Sequence, residues 1–159
     1  MEDITMNYLK IQTEVLKRLM KEKEVVYQKE EGGYWLLNDR ASLAVFIPKC
    51  FMFLNVENSK AAKPTGNLNR LYGREYDYSK AALTGMSKVI HDPIMGDIEC
   101  AEVITTEGEK VRTWINKKFL KYLDTEARFF IKDTQSVVLV KEYMTGDQVV
   151  AIICPVRDR

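Results

Sequence analysis

The chain closes on VVAIICPVRDR, Val149 to Arg159, and an earlier stretch, LAVFIPKC from Leu43 to Cys50, has nearly the same form. In both, an alanine precedes three apolar residues and a proline: Ala44-Val45-Phe46-Ile47-Pro48 and Ala151-Ile152-Ile153-Cys154-Pro155. A short apolar run stopped by proline reads as a strand and its end, since proline has no N–H to give to a ladder. The two endings lie a little over a hundred positions apart, and the question they raise is whether they close two copies of one structural unit.

Working outward from each ending, the same order of elements appears. Before the first, Asn7–Lys23 has helical periodicity, with Tyr8, Ile11, Val15 and Leu19 on one face, widened by Leu9, Leu16 and Met20. A short strand near Asp3–Met6 precedes it. Strands over Val25–Lys29, Tyr34–Leu37 and Leu43–Ile47 follow, separated by Glu31-Gly32-Gly33 and by Asn38-Asp39-Arg40. Before the second ending, Lys110–Ile115 reads as a strand. Asn116 then caps a short helix, Lys117–Asp124, with Phe119, Leu120 and Leu123 on its apolar side. Strands over Ala127–Lys132, Ser136–Lys141 and Gln148–Cys154 complete the set, with Thr145-Gly146-Asp147 as the last turn. The pattern is strand–helix–three strands, twice.

The middle differs. Val56–Asn69 is polar and contains SKAAKPTGN, a loop by composition. Tyr78–Ile90 is expected to be a helix interrupted by Gly85 and broken by His91-Asp92-Pro93, before Ile98–Thr105 returns to strand. The expected organisation is one domain. Its first unit covers about 1–55, a connection about 56–97, and a second unit about 98–159.

Composition bounds the function. With 46% hydrophobic and 30% charged residues the 159-residue chain has globular values, which exclude a mainly disordered one. No apolar run approaches the roughly 18 residues that span a bilayer. MEDITMNYLK is acidic and polar, unlike a secretory signal. Cys50, Cys100 and Cys154 have neither metal spacing nor an even number, so the expectation is a cytoplasmic protein with reduced thiols.

The net charge of +1 conceals a segregation. The first helix carries Lys10, Lys17, Arg18, Lys21 and Lys23 against Glu14 and Glu22; the second carries Lys117, Lys118 and Lys121 against Asp124. The remainder of the chain is net negative. Lysines often do no more than solvate a helix face. Two helices in repeated positions, both basic on the outer face, also fit salt-sensitive contact with nucleic-acid phosphates that reads no bases.

These features together resemble a domain of the DNA sliding clamp family, most closely its bacterial members, the DNA polymerase III beta subunits. INKKFLKYLDTEARFFIKDTQSVVLVKEYMTGDQVVAIICPVR is similar to the closing segment of those clamps, with Cys154-Pro155-Val156-Arg157 at the place of a terminal MPVR. LLNDRASLAVFIPK resembles the family's TDGHRLA stretch: Asn38, Asp39, Leu43 and Ala44 match, while Arg40, Ala41 and Ser42 replace glycine, histidine and arginine. Val56–Asp97 matches nothing in the family pattern.

The resemblance implies an α+β fold, a DNA-clamp-like domain of two pseudo-symmetric strand–helix–three-strand units, with mostly antiparallel sheets and helices on one face. It implies helices that face duplex DNA, carrying Lys10, Lys17, Arg18, Lys21, Lys117, Lys118 and Lys121. It further implies a pocket for the short peptide of a replication protein, formed by Leu43, Val138, Ile152, Ile153, Cys154, Pro155, Val156 and Arg157. A ring of the family comprises six domain equivalents, so this chain would close one only as a homo-oligomer. The function expected is a non-enzymatic replication accessory that confers processivity. The alternative is a clamp-fold protein-binding module, of phage or mobile-element type, that has lost the ring.

Catalytic chemistry finds little footing. His91 beside Asp92, with Asp97 and Glu99 nearby, reads as turn chemistry, and neither a catalytic residue, a metal nor a cofactor is expected. Tyr72, Tyr76 and Tyr78, with Arg70 and Arg74, are candidates either for base stacking or for a core edge.

Overall fold

The structure is a computed structural model and describes residues 7–66, 68, 77–124, 126–142 and 148–158. These residues form an α+β fold around one ten-stranded, mostly antiparallel sheet. Helix α1 is Tyr8–Met20. The strands are β1 Val25–Glu30, β2 Gly33–Leu37, β3 Leu43–Pro48, β4 Ala62–Pro64, β5 Ser79–Asp92, β6 Gly96–Thr105, β7 Arg112–Asn116, β8 Arg128–Ile131, β9 Val138–Lys141 and β10 Val149–Ile153. A 3-10 helix, Lys117–Tyr122, follows β7 where a short α-helix to Asp124 was expected. The Asp3–Met6 strand and the Thr145-Gly146-Asp147 turn lie outside the described residues.

The sheet order is β4-β1-β2-β3-β10-β9-β8-β5-β6-β7. The two strands that share the Ala-x-x-x-Pro form are therefore neighbours. They pair antiparallel through Leu43↔Ile153, Ala44↔Ile152 and Val45↔Ala151. Their continuous apolar runs have a simple cause: every residue from Leu43 to Ile47 and from Val149 to Ile153 is buried. Leu43, Val45, Ile47 and Ile153 join the core under the helices, while Ala44, Phe46 and Ile152 pack with Trp35, Leu37 and Leu139 on the opposite face. An alternating strand would have served only one face.

Close approach explains Gly33. A Cβ there would lie 2.2 Å from the Ile47 carbonyl oxygen and 2.8 Å from the Phe46 ring, so only glycine lets β2 start against β3.

Two expectations for the middle are corrected. Tyr78–Ile90 is not a helix; Ser79–Asp92 is a 14-residue strand hydrogen-bonded along β6 and, at Ser79–Ala81, to β8. Its apolar spacing fits either period, and the β6 ladder decided against the helix. Gly85, at φ 87°, sits where the register shifts between Leu83 and Ser87, a bulge in place of the expected helix interruption. Val56–Asn69, expected as loop, contains β4, which pairs parallel with β1 through Val25↔Ala62 to Tyr27↔Pro64. The break expected at His91-Asp92-Pro93 falls two residues later: His91 and Asp92 end β5, the turn is Pro93–Met95, and the Asp92 carboxylate accepts the Ile94 and Met95 N–H groups, 2.8 and 2.9 Å away, closing the β5–β6 hairpin.

Helix α1 begins at Asn7, whose side-chain oxygen accepts the Lys10 N–H. Ile11 and Val15 are fully buried against the sheet, which stabilises the helix by roughly 2 kcal/mol each. Gln12 is also fully buried, and its amide is fully used. Its Nε2 donates to the Tyr8 and Phe51 carbonyls, and its Oε1 accepts the Phe53 and Leu54 N–H groups. This one side chain ties α1 to the Phe51–Leu54 segment, which leaves the 3-10 turn Lys49–Phe51. Gln12→Leu leaves one carbonyl and two N–H groups of that segment without partners. The expected cost is about 3 kcal/mol, read as a fall in thermal midpoint of roughly 6–12 °C.

Candidate functional site

Helix α1 and the 3-10 helix lie side by side on one face of the sheet, both packed into the same core. The Asn116 side chain caps the 3-10 helix by accepting the Lys118 N–H at 3.0 Å. Phe119 and Tyr122 point inward, while Lys117, Lys118 and Lys121 are exposed. The Asn7 N–H donates to the Tyr122 carbonyl, 3.1 Å away, joining the start of one helix to the end of the other. Between them runs a groove of about 410 Å³, bordered by Glu14, Lys17 and Arg18 on one side and Lys118 and Lys121 on the other.

The seven basic residues expected here are all on this face, but they are not equivalent. Lys121 pairs with Glu14 at 3.0 Å, Lys117 with Glu99 at 3.6 Å, and Arg18 with Asp39 at 3.3 Å. Arg18 also donates to the Glu24 carbonyl. Lys10, Lys17, Lys21 and Lys118 have no ion pair among the described residues. Of these four, Lys17 and Lys118 line the groove itself.

Glu14 is the acidic centre of the groove. Burial alone would raise its carboxyl; the Tyr122 hydroxyl and Lys121 outweigh that and hold it below the usual carboxylate range. Burial, with Glu14 beside it, pushes the Tyr122 phenol up.

The Asn38–Ser42 loop and the last residues of the chain meet at one end of the groove. The Asn38 Oδ1 accepts the Ser42 and Leu43 N–H groups, each at 2.9 Å, and its Nδ2 donates to the Ser42 hydroxyl. That bracket holds Arg40 at φ 76° and Ala41 at φ 53°, both in the left-handed region. β10 continues out of the sheet as Cys154, whose N–H donates to the Ser42 carbonyl at 2.9 Å. Two residues on, the Val156 N–H donates to the Trp114 carbonyl. The Asp158 carboxylate then forms an ion pair with Lys88, whose ammonium lies 4.6 Å over the Trp114 ring.

A cleft of about 250 Å³ opens here, lined by Ser42, Phe119, Cys154, Pro155, Val156 and Arg157, and closed on the far side by the β5–β6 turn with His91, Pro93 and Met95. Of the eight residues expected to form a peptide pocket, four line this cleft. The other four do not: Leu43, Val138 and Ile153 are buried beneath the helices, and Ile152 is buried on the opposite face. Their alternation within paired strands sends them into the core. Ser42, Met95, Asn116 and Phe119, which the sequence reading did not single out, complete the cleft. Only the capping role of Asn116 and the inward face of Phe119 left a trace in the sequence.

The His91 imidazole pairs with Asp97 across the hairpin at 3.0 Å, not with Asp92, and both are well exposed. No cluster of metal-ligating side chains occurs among the described residues. The buried Cys100 thiol is pushed up to about 11 and the half-buried Cys154 thiol is also raised by burial, so neither is poised as a thiolate near neutral pH. Tyr78 is half-buried and packs on the opposite face, a core edge. Tyr72, Tyr76, Arg70 and Arg74 lie outside the described residues. No helix among the described residues is long and apolar enough to cross a membrane.

Compared with family models, curated proteins and solved structures, the chain finds no match.

Two outcomes follow from this geometry. Arg40 holds a backbone conformation that costs a non-glycine residue about 1 kcal/mol or more. Arg40→Gly is therefore expected to raise the thermal midpoint by roughly 2 °C. Glu14, with its folded pKa depressed, contributes stability that is present above its ordinary value of 4.5 and lost as pH falls through the lower folded value. Thermal midpoints measured from pH 7 to pH 3 should fall less steeply for Glu14→Gln than for the parent.

Proposed function

We propose that this protein is a clamp-like, non-enzymatic accessory of DNA replication that lays its helix face against duplex DNA and holds a second protein at the Cys154–Arg157 cleft. The observation that carries the reading is the pairing of β3 with β10. The sheet order β1-β2-β3-β10-β9-β8 is three antiparallel strands followed by their mirror sequence, and the echoing strands meet at its centre. An axis normal to the sheet through the Ala44↔Ile152 pair relates Ala44 to Ile152 and Val45 to Ala151, residues on matching faces, so the echoing letters lie one position out of step. This arrangement supports a reading of the two units as pseudo-symmetric, with the basic helices in related places on one face.

A second support lies in the loop. Arg40 stands where the family's stretch has glycine, and its backbone adopts the left-handed conformation that suits glycine. The exposed lysines meet phosphates without reading bases, so affinity falls steeply with salt. A single copy presents four lysines on this face without an ion pair among the described residues, and a ring of copies multiplies them around one duplex. The alternative, a clamp-fold binding module without a ring, draws on the cleft alone, which needs neither DNA nor oligomerisation.

Light scattering with and without duplex DNA, at low and moderate salt, separates the two readings. The clamp reading expects a hexameric mass and a DNA complex that dissociates as salt rises. The double variant Lys17→Glu, Lys118→Glu should lose DNA while keeping its thermal midpoint, because neither lysine has an ion pair to break among the described residues. A monomer indifferent to DNA leaves the binding module.

A further inference from the structure

The exposed apolar side of α1 is not used by any contact with DNA. Leu9, Leu16 and Met20 are 64%, 38% and 76% exposed, and beside them Phe51 and Phe53 are 56% and 55% exposed. The two groups are contiguous. Phe51 stacks on Tyr8 with ring centroids 5.1 Å apart, and Gln12, one turn from both Leu9 and Leu16, bonds the backbone of Phe51 and Phe53. Phe51 ends a 3-10 turn, Lys49–Phe51, and in the segment that leaves it Met52 and Leu54 pack on the core while Phe51 and Phe53 stay exposed. The patch is on the order of 600 Å², at the top of what monomers ordinarily leave in water.

Its spacing identifies the shape it fits. Leu9, Thr13, Leu16 and Met20 follow one another at four, three and four residues, the narrow seam of a helix that packs against another helix. Thr13 turns its hydroxyl back onto the Leu9 carbonyl at 2.8 Å, so the one polar member of the seam needs no partner outside. Lys10 and Lys17 each follow a seam leucine by one residue and stand along one flank, unpaired among the described residues. In two-stranded helix packing these flanking positions choose the partner by charge.

We propose that this seam, with Phe51 and Phe53 as its second wall, docks an amphipathic helix of another protein whose apolar stripe is flanked by glutamate or aspartate. A second copy of this chain is a poor occupant, because antiparallel pairing of two α1 seams sets lysine against lysine. A lipid surface calls for a broad apolar face, and α1 has committed its broad face, Tyr8, Ile11 and Val15, to the core. The inference does not rest on DNA binding, which would engage the lysines and leave the leucines in water.

The probe is a fluorescent synthetic helix of about three heptads, with leucine at the seam and glutamate on both flanks, whose own charges keep it from self-pairing. Its counterpart carries lysine on the flanks. The glutamate helix is expected to bind in the micromolar range and to weaken several-fold as salt rises from about 50 to 300 mM. Leu16→Glu should weaken it at least tenfold and Lys17→Glu several-fold, and the lysine helix should not bind. Leu9→Glu and Met20→Glu, at more exposed positions, replace Leu16→Glu if that variant's thermal midpoint drops. Failure of the glutamate helix to bind overturns the proposal, as does equal binding of both helices. So does sedimentation with vesicles of roughly 30% phosphatidylserine that Leu16→Glu abolishes, or a concentration-dependent dimer that Leu16→Glu abolishes.

Discussion

The antiparallel contact between β3 and β10 is the constraint on which the rest of the molecule depends. It joins a strand near residue 45 to one near residue 151, and everything between them must fit around that closure. Forming it brings β2 and β9 into place as outer neighbours and buries five consecutive residues of each strand, Leu43–Ile47 and Val149–Ile153. Substituting a polar side chain on either strand would expose no alternative face to water, because the helices cover one side and the Trp35–Leu139 cluster the other. The same contact delivers Cys154 to the Ser42 carbonyl, so the cleft at the end of the chain is a direct product of the central pairing.

Around that centre, polar side chains do the positioning. Gln12 fixes α1 to the Phe51–Leu54 segment, Asn38 holds the Arg40–Ala41 backbone in the left-handed region, Asn116 starts the 3-10 helix, and Asp92 closes the hairpin that walls the cleft. Each satisfies backbone groups that no ladder or helix reaches, where an unpaired buried group would cost more than the bond contributes. The candidate face is thus a set of loops and helix ends pinned by amides and carboxylates to one sheet. Its electrostatics follow from the same packing: Glu14 between the helices takes Lys121 out of the free cations, and Lys17 remains.

Much of this was legible in the sequence. Helix α1, strands β1 to β3 and β6 to β10, and the Asn116 cap follow local periodicity and capping chemistry; the structure has the strands within a residue or two and ends α1 at Met20, three residues before the expected Lys23. β5 was misread because Ser79–Asp92 has apolar residues at spacings that serve either a helix or a strand, and only its partner β6 distinguishes them. β4 is three residues long and contains Pro64, too little for any period to register. At the candidate site, the Cys154–Arg157 segment and the basic helices were visible as chemistry. Whether Leu43, Val138, Ile152 and Ile153 faced a cleft or a core was not, since strand alternation assigns faces only after the partner strands are known.

By itself, then, the sequence determined α1, the strands other than β4 and β5, and that positive charge gathers on two helices. These are local properties, set by neighbours along the chain. Tertiary structure alone decided that the two similar strands pair with each other, which basic side chains are spent on Glu14, Glu99 and Asp39, and that Leu9, Leu16 and Met20 stay in water beside Phe51 and Phe53. Those outcomes depend on residues more than fifteen positions apart meeting in space, and no pattern along the chain encodes such a meeting.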